Sequence, residues 1–446
     1  MMRTRKVVTI ALCSLVLAGS SGLASAQPRT EHAPATPSTW GMREILDRVG
    51  RMDPRLRVKA AEQMVAHIAR RRAQWNRVQG HVGLHAGHQV TSTGWLATEP
   101  MAARTDDQAT AAAVAEVRLP LYAGGRISAA LDAAEAQLRK THQDEEVLRL
   151  QLASAALVAY AEALAADEQT RVAEHALSRA RDLADITRKK RSAGIDTEAD
   201  VARAELNLVR YEEDLVVQRG SASIARTALR AVLLLDQGAP LRLEGSLSGL
   251  ATAGAAPGAH PEMARAQAAL EEARAQRRVT AAGYLPTVEL FAVGQYGNTM
   301  PGAPTTPMYL ERWGPLSGSA AAGVQAGWTA FDFFVTRDQV ATADAQIAVR
   351  RAEHDVTAIV LQNRRDEAVR REQASLDRLR VLEGGRRVAA RALELARARY
   401  ETGNSTLTEV LDAELETIRL ENNRVQAGLQ LALAHIDRMY AEGSRP

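Results

Sequence analysis

His81, His85 and His88 invite a metal-binding reading. They fall in a segment of period-two alternation. There His81 and His85 share a face about 13 Å apart while His88 points the other way, so no single ion is held by all three within one chain. Glu409 and Asp412 stand three residues apart in a helical stretch and so share a face that could concentrate negative charge. Thr406-Leu407-Thr408-Glu409 also reads as a capping box, and an acid in a first helical turn complements the macrodipole. Capping accounts for Glu409 and leaves Asp412 unexplained. Gly124-Gly125 precedes a helix, but neither G-x-G-x-x-G nor a Gly-Lys-Ser/Thr run surrounds it, so it reads as a sharp bend rather than a phosphate loop. No Ser/His/Asp or Cys/His set and no metalloprotease motif is present. The residues therefore point away from an enzyme, and no metal or cofactor is expected.

The chain has 446 residues, 46% hydrophobic, 24% charged and 4% aromatic, too apolar for a disordered protein and too long for a minidomain. Residues 1–26 carry Arg3, Arg5 and Lys6, an apolar run from Val7 to Gly19, and Ala24-Ser25-Ala26, the layout of a secretory signal. Its removal takes three of the 56 basic side chains and leaves a mature chain balanced against 53 acidic ones, which gives no basis for binding nucleic acid. Cys13, the chain's single cysteine, leaves with it, and Leu12 stands where a lipobox wants a small residue. Beyond residue 26 every window of about 18 residues contains charge; Leu148 to Ala166 is interrupted by Arg149, Gln151 and Glu162. A helical membrane span is not expected, whereas an alternating β-barrel would evade such a test.

Internal repetition sets the elements that position these residues. Asp53-Pro54 and His260-Pro261 each open an Ala/Arg-rich helical stretch. Tyr122 and Phe331, Glu135-Ala136-Gln137-Leu138 and Asp344-Ala345-Gln346-Ile347, and Gly194 and Gly403 then pair at one offset. The spacing predicts two repeats, 27–248 and 260–446, joined by a linker at 249–259 in the Gly/Ala/Pro-rich stretch from Gly245 to Gly258. Each repeat is read as a helix, two strands and a long helical hairpin, with strands near 78–91, 111–121, 286–297 and 318–331 and hairpins over 126–235 and 335–442. Arg126 to Ser192 contains no proline or glycine, enough for roughly 100 Å of helix. Leu411, Ile418, Val425, Ala432 and Met439, interleaved with Leu415, Asn422, Leu429 and Ile436, form a coiled-coil seam, and Ala173, Ala176, Ala180 and Ala184 permit close helix approach.

The strands alternate charged and apolar faces: Glu116 and Arg118 against Ala115, Val117 and Leu119, or Thr287, Glu289 and Gln295 against Val288, Leu290 and Tyr296. That fits a membrane barrel with a wet interior. Four strands cannot enclose a wide lumen, and an open edge in lipid leaves backbone groups unsatisfied. Three copies giving twelve strands meet the requirement. Trp95, Tyr309, Trp313 and Trp328 lie in or beside the strands as candidates for an interfacial girdle.

In this order and duplicated, several segments identify the resemblance. They are Pro54 and Pro261, Leu121-Tyr122-Ala123-Gly124-Gly125-Arg126, Leu285-Pro286, Ser192-Ala193-Gly194-Ile195, Tyr400-Glu401-Thr402-Gly403, and most specifically Leu407-Thr408-Glu409-Val410-Leu411-Asp412-Ala413. Over about residues 41–442 the chain resembles the TolC-like outer-membrane efflux proteins. The resemblance implies an α plus membrane β-barrel fold: a homotrimeric 12-stranded barrel in outer-membrane lipid, continued by an α-helical periplasmic tunnel. It implies an exit duct of a tripartite efflux pump that works with a periplasmic adaptor (membrane fusion) protein and an inner-membrane transporter, with a type I secretion duct as the alternative. A periplasmic adaptor or a structural coiled-coil trimer fits the duplicated strands less well.

The resemblance also assigns sites. Glu409 and Asp412 match acidic positions at the periplasmic aperture, where three copies would gather six carboxylates. Asp200 and Tyr400 match entrance-gate contacts, each with a plainer reading as helix cap and as packing beneath the turn. Ser405 departs from the pattern, standing where an arginine would complete the lock. Gly194 and Gly403 are read as helix-ending glycines at the hairpin tips that meet the adaptor.

Overall fold

A computed structural model describes residues 39–93, 104–252, 258–297 and 317–444, without the side chains of 87–93, 104–111 and Ser317. Trp95, Tyr309 and Trp313 of the expected girdle, and residues 1–38, lie outside the described residues. The elements are α1 (Met42–Met52), α2 (Pro54–Trp75), β1 (Gln79–Thr93), β2 (Arg104–Tyr122), α3 (Arg126–Ser192) and α4 (Glu198–Val232), followed by α5 (Leu247–Leu250), α6 (Pro261–Ala281), β3 (Thr287–Gly297), β4 (Ser317–Gly327), α7 (Val335–Glu401) and α8 (Leu407–Ala441).

The duplication is literal in the helices. α3 and α7 each have 67 residues, α4 and α8 each 35. α2 and α6 both start on a proline whose missing N–H costs a helix nothing at its first position, preceded by a capping side chain, Asp53 or His260. Both hairpins turn at a left-handed glycine, Gly194 (φ +77°) and Gly403 (φ +81°). The next amide in each reaches back into the last helical turn, Ile195 to the Lys190 carbonyl at 2.9 Å and Asn404 to that of Arg399 at 2.7 Å. α7 runs unbroken through Gly384-Gly385; Leu420 of α8 lies where a Cβ on Gly385 would point.

Helix neighbours form two tiers. Nearer the sheet the order is α2, α3, α6, α7; nearer the tips it is α4, α3, α8, α7. α3 is therefore flanked on both sides along its whole length and buries a long alanine and leucine series, whereas α2 and α4 on one margin and α7 on the other each leave a flank unpaired. Between the tiers Trp40, Ile45, Leu157, Tyr160, Leu229, Leu233, Val425 and Ile436 form the main core. The strand-like stretch around Leu243 closes it, with the Trp40 amide donating to the Arg242 carbonyl at 2.8 Å. α3 is long and apolar enough to cross a membrane by composition, and its apolar middle, Leu152 to Ala165, is used in this core.

The sheet is antiparallel throughout, in the order β1-β2-β3-β4. β2 begins at Arg104, earlier than expected, because Arg104 to Gln108 is polar at every position and gives no alternation to read. β4 ends at Gly327 rather than near 331, because Trp328 ties its indole N–H to the Tyr284 carbonyl at 3.2 Å and the chain turns into α7.

Candidate functional site

Cross-strand register sorts the sheet into two chemically distinct faces. One carries Val82 opposite Ala115, Val117 opposite Ala292, Leu119 opposite Leu290, and Leu290 opposite Val324. Val82, Val117 and Val324 on it are exposed. The other carries His81 opposite Glu116, Arg118 opposite Phe291 and Glu289 opposite Gln325. There Arg118 pairs with Glu116 and lies 3.5 Å from Glu289, and His81 lies 3.7 Å from Glu116. Such an exposed apolar face backed by a charged one suits a wall between lipid and water. His85 lies four residues beyond His81 on the same face and the His88 side chain is outside the described set; among the described residues no group of three ligands is placed to hold a metal.

At the far end, about 100 Å of helix away, the two hairpin tips are clamped around Tyr400. This residue, in the last turn of α7, is 2% exposed. Its hydroxyl donates to the Asp196 carboxylate and lies 3.0 Å from the Thr187 hydroxyl, which in turn donates to the Leu183 carbonyl at 2.9 Å. Lys190 stacks on the ring with Nζ 3.7 Å from its centroid, donates to the Tyr400 carbonyl at 2.5 Å and sits 3.8 Å from Asp196. Leu183, Ala184, Ala204, Leu393, Leu407 and Val410 pack around this joint. Burial and the neighbouring Asp196 carboxylate push the Tyr400 hydroxyl up to about 12, so it remains a donor at any physiological pH.

Within the chain Asp200 is a cap. Its carboxylate accepts from the Thr197 amide at 3.1 Å and the Thr197 hydroxyl at 2.6 Å, bonds that hold its carboxyl below the usual range. The residue that meets Tyr400 is Asp196, which the sequence reading passed over together with Thr187 and Lys190. A signal existed in the duplication: one offset pairs Asp196 with Ser405, an acid in one tip where the other has a neutral hydroxyl. Ser405 donates instead to Glu409 at 2.7 Å, and the Glu409 amide approaches the Thr406 hydroxyl at 3.4 Å. Glu409 and Asp412 share an exposed face of α8. Their counterparts on α4 are Asp200 and Arg203, an ion pair at 3.8 Å, so the uncompensated acidic pair belongs to the second hairpin alone.

The expected α8 seam forms in part: Ile418, Val425, Ala432, Ile436 and Met439 are buried on the side of α3, while Leu415 is exposed. Sandwiched between α3 and α7, α8 also makes polar contacts with both of them. Glu414, fully buried, faces Arg397 of α7 at 3.2 Å and Arg179 of α3 at 3.6 Å. Higher up, Arg424 meets Glu168 at 2.6 Å, and Glu372 meets His435 and Arg438, each at 2.8 Å. Burial pushes the Glu414 carboxyl up against the pull of the two arginines.

A sheet with one lipid-compatible face, running into helices some 100 Å long that end in clamped tips, defines an outer-membrane channel with a periplasmic helical extension. Comparison with known proteins agrees. Residues 53–233 and 254–437 match the family described as outer membrane efflux protein, and the chain belongs to that family. It is 26% identical over 354 residues to Protein CyaE of Bordetella pertussis, covering 72% of this chain and 68% of that one. Among solved structures, the outer membrane protein VceC of Vibrio cholerae superposes with a TM-score of 0.73 at 19% identity, covering 90% of this chain and 96% of that one. CusC superposes with a TM-score of 0.75 at 16% identity, covering 91% and 92% respectively. The chain is thus an outer-membrane efflux duct, and its family and fold are those of channels rather than enzymes.

Proposed function

We propose that three copies of the chain assemble into a 12-stranded barrel continued by a twelve-helix periplasmic tunnel, which passively conducts substrates delivered by an inner-membrane transporter through a periplasmic adaptor protein. The observation that carries this reading is the matched pair of open margins. β1 and β4 are the unpaired edges of the sheet, and α2 and α4 on one side and α7 on the other are the unpaired flanks of the helical tiers. Those flanks expose apolar residues at helical spacing: Val58, Val65 and Ile68 on α2, Val209 and Val216 on α4, Val381, Val388 and Leu395 on α7. A neighbour related by rotation would bring β4 to β1 and α7 to α2 and α4, satisfying strand edges and apolar rows in one operation.

Within that assembly Glu409 and Asp412 line the periplasmic aperture, and their six carboxylates favour cations. Tyr400, with Asp196, joins the two hairpins of each protomer and holds the entrance shut, while Asp200 fixes the start of α4 beside it. Gly194 and Gly403 form the tips that meet the adaptor. The two repeats span 27–248 and 260–446 of the mature chain after removal of residues 1–26.

The assembly is tested by the mass of the detergent-purified protein in native mass spectrometry. A trimer is expected, and a sole monomeric species would contradict the reading. Cross-linking at the tips before purification tests the partners: an adaptor protein should be captured through Gly194→Cys and Gly403→Cys variants carrying a photo-reactive thiol reagent, and no capture from either tip would remove them from that role.

A further inference from the structure

The duplication extends to individual contacts. With Pro54 aligned to Pro261 and Gly194 to Gly403, Arg70 of α2 and Glu135 of α3 correspond to Arg277 of α6 and Asp344 of α7. Both ion pairs form, at 3.0 Å and 2.7 Å, so corresponding residues occupy corresponding places. On the same alignment, the joint that α3 makes with α6 and α8 corresponds to the three unpaired flanks: α7 stands for α3, α2 for α6 and α4 for α8.

The packed faces of the joint reappear on those flanks as exposed ones. Ala268 and Ala275, buried on α6, become the exposed Ala61 and Ile68 of α2. Ile418 and Val425, buried on α8, become the exposed Val209 and Val216 of α4. Val172 and Ile186, packed on α3, become the exposed Val381 and Leu395 of α7. A second copy that sets α2 and α4 against α7 therefore repeats between chains the packing that α3 makes within one.

Charge separates the two. Between α3 and α6, Arg139–Glu271, Lys140–Glu272 and Arg278–Asp132 pair at 2.7 Å and Arg265–Asp144 at 3.7 Å. On α7 and α2 the first two pairs become Ala348 with Met64 and Val349 with Val65; Asp132 becomes Ala341 and Arg265 becomes Val58. Between α3 and α8, Arg179 meets Glu414 at 3.6 Å and Glu421 at 3.3 Å. Val388 takes the place of Arg179 on α7, and the acids that correspond to its partners, Glu205 and Glu212, are held by Arg188 and Arg181 of their own hairpin. None of these pairs keeps both members. Set on α3 in place of α6, α2 would press Met64 and Val65 against Arg139 and Lys140. Set on the free flank of α7, α6 would press Glu271 and Glu272 against Ala348 and Val349. Either exchange strands two like charges against apolar side chains as the interface closes.

We propose that the ion pairs joining α3 to the second repeat are specificity determinants by which the chain tells itself from its neighbours: they confine the polar joint to contacts within one chain and leave the apolar flank of α7 to α2 and α4 of a second copy. The inference rests on the three-chain assembly above. Its test uses the full chain in a Cys13→Ala background. Met64→Cys/Ala348→Cys treated with a short bis-maleimide should be captured as covalent dimers and trimers, whereas Met64→Cys/Gln362→Cys, displaced about 21 Å along α7, should not. Arg139→Ala/Lys140→Val/Glu271→Met/Glu272→Val copies the seam's side chains into the joint. It should stay helical by circular dichroism and lose roughly half of its trimer to other masses in native mass spectrometry. Arg139→Glu/Lys140→Glu/Glu271→Arg/Glu272→Lys, which keeps the pairs with their signs exchanged, should remain trimeric. A wholly trimeric apolar variant would overturn the proposal. So would loss of helix in that variant, or equal disruption in the sign-exchanged one, since the pairs would then serve local stability alone. Trimers of the unsubstituted chain without the cross-link between positions 64 and 348 would overturn the register while leaving the assembly standing. If the unsubstituted chain is not trimeric, it is the assembly reading that has failed, and the discrimination falls with it.

Discussion

Replacing Tyr400 by Phe removes one oxygen from the joint between the hairpins and leaves its packing intact, which makes the consequence calculable. The lost hydroxyl donates to a carboxylate, Asp196, and contacts a buried hydroxyl, Thr187. A hydrogen bond to a charged group contributes about 1.5–3 kcal/mol, and the Thr187 contact adds little because that hydroxyl keeps its bond to Leu183. Asp196 retains Lys190 at 3.8 Å, and Lys190 keeps its place over the ring, so no charge is left bare. About 2 kcal/mol per protomer remains, close to thirtyfold in the balance between joined and parted hairpins. Single-channel recording in planar bilayers should show a raised open probability for Tyr400→Phe. A Tyr400→Phe/Asp196→Asn cycle, read by thermal unfolding in micelles, should give a coupling above about 1 kcal/mol. Additive single effects together with an unchanged closed state would reduce Tyr400 to a packing residue and refute the clamp.

Three further outcomes follow from the same contacts. Glu414→Ala strands two arginines against a buried gap and should cost about 3–5 kcal/mol of unfolding free energy, while Glu414→Gln, which keeps a hydrogen-bond acceptor, should cost less; equal effects would mean that charge is irrelevant at that site. Glu409→Ala/Asp412→Ala should lower cation selectivity and weaken block by divalent ions, and unaltered permeation would exclude both residues from the aperture. Asp53 caps α2 and is held below the usual carboxylate range by its hydrogen bonds from Arg55. A lowered folded value stabilises above the unfolded one, near 3.8, and the benefit disappears as pH falls through the folded value. Asp53→Asn, which keeps a capping oxygen but loses the charge facing Arg55, should therefore lower the melting temperature at pH 7 and converge with the wild type as pH falls through the folded value; a gap that persists in acid would mean that the effect is not electrostatic.

Much of the architecture is legible in the sequence because it is periodic and present twice. The prolines at 54 and 261 and the glycines at 194 and 403 mark helix ends whose backbone demands few other residues meet. Strand faces follow from alternation wherever charged residues such as Glu116, Arg118 and Glu289 interrupt apolar ones, and fail at the start of β2, where Arg104 to Gln108 is polar at every position. The α8 seam is harder to read. A heptad row fixes that a helix has a packed side, but Ile418 and Val425 pack on α3, because which of two flanking helices receives a row depends on tertiary order. Asp196 is missed for a related reason: its partner Tyr400 lies 204 residues away, and no local pattern joins them. The turn at Phe333-Phe334 is concealed in the opposite sense, since phenylalanine gives no hint of the left-handed backbone that Gly124-Gly125 advertises in the first repeat.

The measurement that bears most directly on the whole account is conductance across a planar bilayer exposed to the purified protein. The account predicts discrete, cation-preferring steps from a trimeric species, arising only when strand edges β1 and β4 find each other between subunits. A water-soluble monomer that leaves bilayer current at baseline under the same conditions would contradict it.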